Sequence, residues 1–250
     1  MPPSSTRIKE RLDQHLVRLG LAPSREQAKR LIIAGEVQIG THIWDKPSAI
    51  VPSEATATVK EKPKFVGRGG LKLEAALDHF KIATEGKICF DAGASTGGFT
   101  DCLLQRGASK VHAFDVGTNQ LVWKLRSDPR VNVREKFNVR HMEFEDVGER
   151  VDLVVLDVSF ISLTLILPAC WKILADDANV VCLVKPQFEL QREDVSKGGI
   201  VRDASLRERA VAKIRDFAKH SLNGEWLGVM DSPITGTDGN HEFLAWLQPT

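Results

Sequence analysis

The chain has 250 residues, of which 27% are charged and 42% hydrophobic, with a formal net charge of +1. That length allows one large domain or two smaller ones, and it buries a core without covalent staples. The longest run free of Asp, Glu, Lys and Arg is Val158 to Trp171, 14 residues, and a spanning helix needs about 20, so a transmembrane helix is excluded. Met1-Pro2-Pro3-Ser4 has no basic-then-apolar signal pattern. Cys89, Cys102, Cys170 and Cys182 form no CxxC pair, and the seven histidines have no ligand spacing. Neither a zinc site nor a disulfide framework is expected, and a reducing, cytoplasmic setting is.

Residues 1–66 carry 11 Lys/Arg against 7 Asp/Glu, while the rest carries 23 against 26. A small basic module thus precedes a mildly acidic body, which points to a polyanionic partner. Residues 7–19 read as a helix, with Leu12, Leu16 and Leu19 at helical spacing and Gly20 as the stop. Ser24 opens a second helix with Gln27 three residues on, as in a capping box. Ala28, Leu31 and Ile32 form its apolar face, and Gly35 ends it. Short strands follow at residues 36–39, 42–44 and 56–60. The combination Arg11-Leu12-Asp13, Ser24-Arg25, Ala28 and Gly35-x-Val37 resembles the S4 RNA-binding domain. The resemblance implies that Arg11, Arg25, Lys29 and Arg30 contact RNA phosphates. Lys64 and Arg68, from a second basic run over residues 60–72, are expected to join them.

The expected domains are 1–60, an S4-type module; 61–66, a linker; and 67–250, the body. In the body helix and strand alternate. The pattern predicts a helix over 71–80, a strand over 87–91 and a helix over 98–106. Strands are expected at 110–115, 131–134, 151–157 and 178–184, and a helix at 205–220. Apolar runs of this length suit strands buried on both faces of a parallel sheet. Residues 187–203 read as a polar loop, and Asp238-Gly239 between two apolar runs reads as a hairpin turn. Trp123, Trp171, Trp226 and Trp246 read as core, while Phe65 and Phe160 are open to either core packing or base stacking. The outline is α/β: a Rossmann-like, seven-stranded methyltransferase domain behind a small α+β module.

After the body's first strand comes Asp91-Ala-Gly93-Ala-Ser95-Thr-Gly97-Gly98-Phe99. Glycines there let a ligand approach the backbone, and Asp115, ending the next strand, is placed to accept hydrogen bonds from ribose hydroxyls. The dinucleotide pattern G-x-G-x-x-G is absent, and Asp91 would repel a pyrophosphate but pair with a cation. That points to S-adenosylmethionine (SAM), which carries an ammonium and a sulfonium. Gly93-Ala-Ser95-Thr-Gly97 also matches G-x-S-x-G, with Asp157 and His241 in hydrolase order. A nucleophile elbow follows a central strand with several before it, whereas this turn follows the body's first.

Asp157, Lys185 and Glu242 lie at the ends of body strands, and Lys72 lies near the body's start. This set resembles the Lys-Asp-Lys-Glu tetrad of FtsJ-type 2′-O-ribose RNA methyltransferases. The segments GRGGLKL, DAGASTGGFTD, LVKPQFE and SPITGTDGNHEF stand in the order found in the TlyA, or haemolysin A-like, family. The resemblance covers essentially the whole chain. It implies SAM-dependent methylation of a cytidine 2′-hydroxyl in ribosomal RNA, 16S, 23S or both. It also implies that Gly97, Phe99, Asp115 and Asn138 meet the cofactor; Asp91, Gly93, Ser95 and Gly98 complete the expected set. A free lysine titrates near about 10.4, and burial beside a second cation lowers that value. Lys185 is therefore expected to be the general base, with Lys72 beside it and Asp157 and Glu242 orienting both.

Other acceptors fit less well. Base-amino methylation uses an Asn/Asp-Pro-Pro-aromatic turn where this chain has Asp157-Val-Ser-Phe160. Cytosine C5 methylation needs a cysteine nucleophile, and Cys170 and Cys182 are expected in a helix and mid-strand. Two competing readings are a non-catalytic RNA binder with a degenerate body and, from the family's older name, a pore former. The intact acidic turn and tetrad oppose the first, and no membrane partner is expected for the second.

Overall fold

A computed structural model describes residues 8–60, 63–236 and 238–250. Residues 1–7, 61–62 and Thr237, which figure in the charge, linker and turn readings, lie outside the described residues. The chain divides into two compact units between Pro63 and Lys64. Residues 64–66, read from sequence as linker, belong to the second unit, because Phe65 is 3% exposed within its core.

The first unit runs β1 (Lys9–Arg11), α1 (Leu12–Arg18), α2 (Arg25–Ile33), β2 (Val37–Ile39), β3 (His42–Trp44), β4 (Ile50–Pro52) and β5 (Ala57–Val59). The expected first helix is shorter, since Lys9–Arg11 pairs antiparallel with β4 instead. Arg11 is extended at the helix start, so the helix opens at Leu12. Ser24 caps α2 by accepting from the Gln27 amide at 3.2 Å. Leu12, Leu16, Ala28 and Ile32 are fully buried against the three-stranded sheet β3-β2-β5 and β4.

The second unit runs α3 (Gly69–Phe80), β6 (Ile88–Ala92), α4 (Gly98–Gln105), β7 (Lys110–Phe114), α5 (Trp123–Arg126) and β8 (Val131–Arg134). It continues with α6 (Phe144–Val147), β9 (Val151–Leu156), α7 (Leu167–Trp171), β10 (Leu174–Val184), α8 (Pro186–Glu189), α9 (Ala204–Ser221), β11 (Gly224–Asp231) and β12 (Phe243–Pro249). The sheet order is β11-β12-β10-β9-β6-β7-β8. Strands β8, β7, β6, β9 and β10 are parallel, and β12 is antiparallel to both neighbours.

Side chains of a strand alternate between faces, and here each face has its own core. Phe90, Phe114, Val154 and Cys182 pack with α7 and α9 through Leu167, Cys170, Ile214 and Ala218. Cys89, Val111, Leu153, Val155 and Val181 pack on the other face with Leu73, Leu77 and Leu103 of α3 and α4. Both faces are thus covered, which is why the parallel strands are apolar throughout. The chain order reverses beside β6, and ligands of open α/β sheets bind outside the strand C-termini at such a point.

Three local features differ from the sequence expectation. Trp123 is 76% exposed rather than core, because Leu121 and Leu125 are the inward positions around short α5. The polar stretch after Lys185 begins with α8, since Pro186 at its first position suits a helix start. The expected antiparallel hairpin of β11 and β12 is present, but its strands are farther from Asp238-Gly239 than a tight turn would put them. β11 ends at Asp231 and β12 starts at Phe243, and Ile234, Thr235 and Glu242 between them line a cavity.

Candidate active site

Four parallel strands deliver their C-terminal residues to one edge. The turn after β6 carries Gly93 at φ +83°, and a Cβ there would lie 2.6 Å from the Asp157 carbonyl oxygen. Only glycine lets the turn pass this close to the chain leaving β9. Two adjoining cavities open here, about 270 Å³ and 390 Å³, sharing Gly93, Ser95, Asp157 and Ser159 as walls.

The smaller cavity holds the tetrad. Lys72 Nζ of α3 donates to Glu242 Oε2 at 2.5 Å, and Lys185 Nζ pairs with Asp157 Oδ1 at 2.6 Å. Lys185 Nζ also lies 2.9 Å from Ser159 Oγ. Lys72, Lys185 and Glu242 are buried, while the Asp157 side chain keeps 23% exposure. A buried ammonium is costly unless paired, so each lysine has its own carboxylate. Gly67, Arg68, Gly98, Phe99, Ile234 and Thr235 complete much of the wall. Arg68 is exposed, with its guanidinium 3.4 Å from the Thr235 carbonyl.

The larger cavity is an apolar slot with an acidic mouth. Phe114, Phe137, Val139, Val158 and Ile166 line it, along with Asp115, Gln120 and Asn138. Asp115 Oδ2 accepts from the Ser95 amide at 2.8 Å and Oδ1 from the Gly117 amide at 2.6 Å. Each oxygen keeps acceptor capacity for a further donor. Asn138 is exposed and caps a short helical turn by accepting from the Arg140 amide at 3.1 Å. This cavity has two carboxylates and no Lys or Arg on its wall. It therefore fits an uncharged nucleoside joined to a cationic group and does not fit a pyrophosphate.

Two expected cofactor contacts lie off both cavity walls. Asp91 points into the interior, fully buried, with Oδ2 accepting from Thr100 Oγ at 2.6 Å and Oδ1 without a hydrogen-bond partner. Burial pushes its carboxyl up to about 7 against the opposing Thr100 hydrogen bond, with Asp157 adding repulsion. Gly97, at φ +101°, faces Leu121 and Leu125, where a side chain would clash. Gly93, Ser95, Gly98, Phe99, Asp115 and Asn138 do line the cavities.

The hydrolase arrangement is not assembled. Ser95 Oγ bonds Gln120, and Asp157 pairs with Lys185. The four cysteines are free and buried, and burial pushes the Cys170 thiol up to about 12. No group of metal-binding residues occurs among the described residues, and no helix there is long and apolar enough to cross a membrane.

In the first unit, Asp13 is fully buried and receives Arg11 Nε at 3.0 Å and Arg25 at 2.9 Å. Burial pushes the Asp13 carboxyl up, but the two arginine hydrogen bonds outweigh it and hold it below the usual range. Arg11 and Arg25 thus spend part of their donors inside the fold. Lys29 and Arg30 are exposed on α2. Lys64 pairs with Glu74 at 2.5 Å and keeps 56% exposure.

Sequence reasoning missed Ser159, Gln120 and the Ile234–Thr235 wall. Ser159 stands two residues past Asp157, a spacing that could have suggested it. Phe160 follows at φ +63° and 91% exposure, with its ring 5.2 Å from Phe188, on the rim of the larger cavity.

Fold and cavities together define a SAM-dependent methyltransferase body. The family description "FtsJ-like methyltransferase" matches residues 65–249, and "S4 domain" matches residues 10–56. The chain belongs to the FtsJ-like methyltransferase family, and its cofactor is S-adenosylmethionine. It is 48% identical over 240 residues to "16S/23S rRNA (cytidine-2′-O)-methyltransferase TlyA" of Mycobacterium tuberculosis, covering 95% of this chain and 89% of that one. It is 46% identical to "Hemolysin A" of Brachyspira hyodysenteriae, covering 94% and 98%. A solved structure of a hemolysin candidate from Streptococcus thermophilus shares 46% identity at a TM-score of 0.71, covering 98% and 90%.

Proposed function

We propose that the protein methylates the 2′-hydroxyl of cytidine in ribosomal RNA of one or both subunits, with the S4 unit docking the RNA. The observation carrying this reading is the pair of buried lysine–carboxylate contacts inside one cavity, beside a slot suited to an adenosine. The 48% identity to a relative named for cytidine-2′-O methylation supports the substrate.

When bound, SAM supplies an electrophilic methyl group. Asp115 would hold the ribose of its adenosine, and the apolar slot would take the adenine. A ribose hydroxyl is a poor nucleophile until its proton leaves. Lys185, oriented by Asp157 and Ser159, is the side chain placed to take that proton. The Lys72–Glu242 pair lines the same cavity and adds no net charge. Arg68 at the rim meets phosphate, and exposed Phe160 offers a face on which the target base stacks. Lys29 and Arg30, with the exposed parts of Arg11 and Arg25, position the RNA backbone.

The relative named Hemolysin A favours no separate reading here, because the lysine–carboxylate cavity has no place in a pore. The test is tritium transfer from labelled SAM to ribosomal subunits from a strain lacking the gene, followed by nucleoside analysis. Label in 2′-O-methylcytidine is expected. Label on a base would overturn the acceptor, and no transfer to either subunit would overturn the substrate.

A further inference from the structure

The chains leaving adjacent strands β9 and β10 run side by side across the site and are joined three times. Lys185 reaches Asp157 and Ser159 at one end. The Phe188 and Phe160 rings meet in the middle at 5.2 Å. At the far end Glu189 accepts from the Leu163 amide at 2.7 Å and from Ser162 Oγ at 2.5 Å. Lys213 of α9 closes this end, donating to the Glu189 carbonyl at 2.7 Å and lying 3.3 Å from its carboxylate.

Glu189 is 4% exposed and lines neither cavity. A carboxylate so deep is costly unless its oxygens are satisfied; here an amide, a hydroxyl and an ammonium satisfy them. Burial pushes its carboxyl up, and these donors pull against that. Between the two ends, Phe160 holds a left-handed backbone that a bulky residue adopts only when its surroundings impose it. Free at the far end, the 157–163 segment would relax there, and Asp157 and Ser159 would lose register with Lys185.

We propose that Glu189 is a positioning residue for methyl transfer: it pins residues 157–163 onto α8 and so fixes Lys185 against Asp157 and Ser159. The inference rests on the reading of Lys185 as the base. Glu189 touches neither cofactor nor acceptor; it acts through the loop.

The test is steady-state and single-turnover methyl transfer by full-length Glu189→Gln, well below its unfolding temperature. The expected result is a fall in kcat of about tenfold to a hundredfold, the scale of a small misplacement. KM for ribosomal subunits and SAM affinity should stay within about threefold, since interactions made only at the reacting centre move kcat. In a Lys185→Ala background the same substitution should cause little further loss, because residues acting as a unit are non-additive. Ser162→Ala, which removes one of the links, should follow the same pattern more weakly and serves if Glu189→Gln does not fold. Unchanged kcat, an equal loss of SAM affinity, or a full further loss in the Lys185→Ala background would each overturn the proposal. Failure of wild-type protein to methylate ribosomal RNA would instead sink the proposed function, and this inference with it.

Discussion

In the N-terminal unit, cations stand half in water: Arg11 and Arg25 keep 39% and 51% side-chain exposure while sharing the buried carboxylate of Asp13. In the body, Lys72 and Lys185 keep only 10% and each faces one carboxylate at hydrogen-bonding distance. Both units pair cations with carboxylates, but the exposure of the cations differs. A half-exposed guanidinium keeps donors free for a phosphate while its other donors hold the buried Asp13 carboxylate. A buried ammonium has no such freedom, so its carboxylate both keeps it inside and aims it. Exposure, more than charge, separates docking from chemistry.

That contrast predicts unequal costs for removing the acid. Glu242→Ala should destabilise the body by about 3–5 kcal/mol, the usual result of leaving a buried charge unpaired. Asp13→Asn should cost about 1–2 kcal/mol, because its arginines turn to water. Chemical denaturation of both variants reads the difference, and equal costs would erase the distinction.

A smaller separation concerns ligands. Deleting residues 1–63 should weaken binding to ribosomal RNA by about a hundredfold. The slope of log affinity against log salt should flatten by about 0.7–0.9 for each phosphate that the shortened chain no longer neutralises. SAM affinity should change by less than about threefold, because every cofactor-cavity residue lies in the second unit. Filter binding against salt and calorimetry with SAM measure the two arms. Equal RNA affinity without the S4 unit would remove its docking role.

The smallest effect isolates Asp91. Its carboxyl is pushed up to about 7, so between the usual carboxylate range and neutrality the folded state binds more protons than the unfolded one. This group's contribution to stability therefore falls as pH rises through that window. Asp91→Asn should remove the slope. Its melting temperature should gain on the wild type by about a few degrees between pH 5 and pH 8. A constant gap across that range would contradict the buried setting of Asp91.

The body was legible because its strands are apolar on both faces and its chemistry-bearing residues sit where those strands end. Asp115, Asp157 and Lys185 each close or follow such a run. The S4 unit was legible in its helices and less so in its sheet. Strands of three residues, such as Lys9–Arg11, carry no periodicity and depend on a partner 41 residues away. Asp91 and Gly97 lie off both cavity walls, a placement the motif's spacing does not give, because only packing says which side of the turn faces the cavity. Trp123 was misplaced because hydrophobicity alone was weighed. Glu189 stood in plain view in LVKPQFE, but its partners, Ser162, Leu163 and Lys213, come from elements that only the fold brings together.

At the centre of this reading, Lys185, held by Asp157 and Ser159, takes the proton of a cytidine 2′-hydroxyl. The most direct measurement is single-turnover methyl transfer from labelled SAM to ribosomal subunits by Lys185→Ala beside the wild type, at saturating cofactor, with nucleoside analysis of the product. Label in 2′-O-methylcytidine is expected for the wild type. For the variant the expected rate is lower by about 10²–10⁴-fold, the usual range for a general base, with binding of SAM and RNA retained. A variant that transfers methyl groups at the wild-type rate would contradict the role given to Lys185.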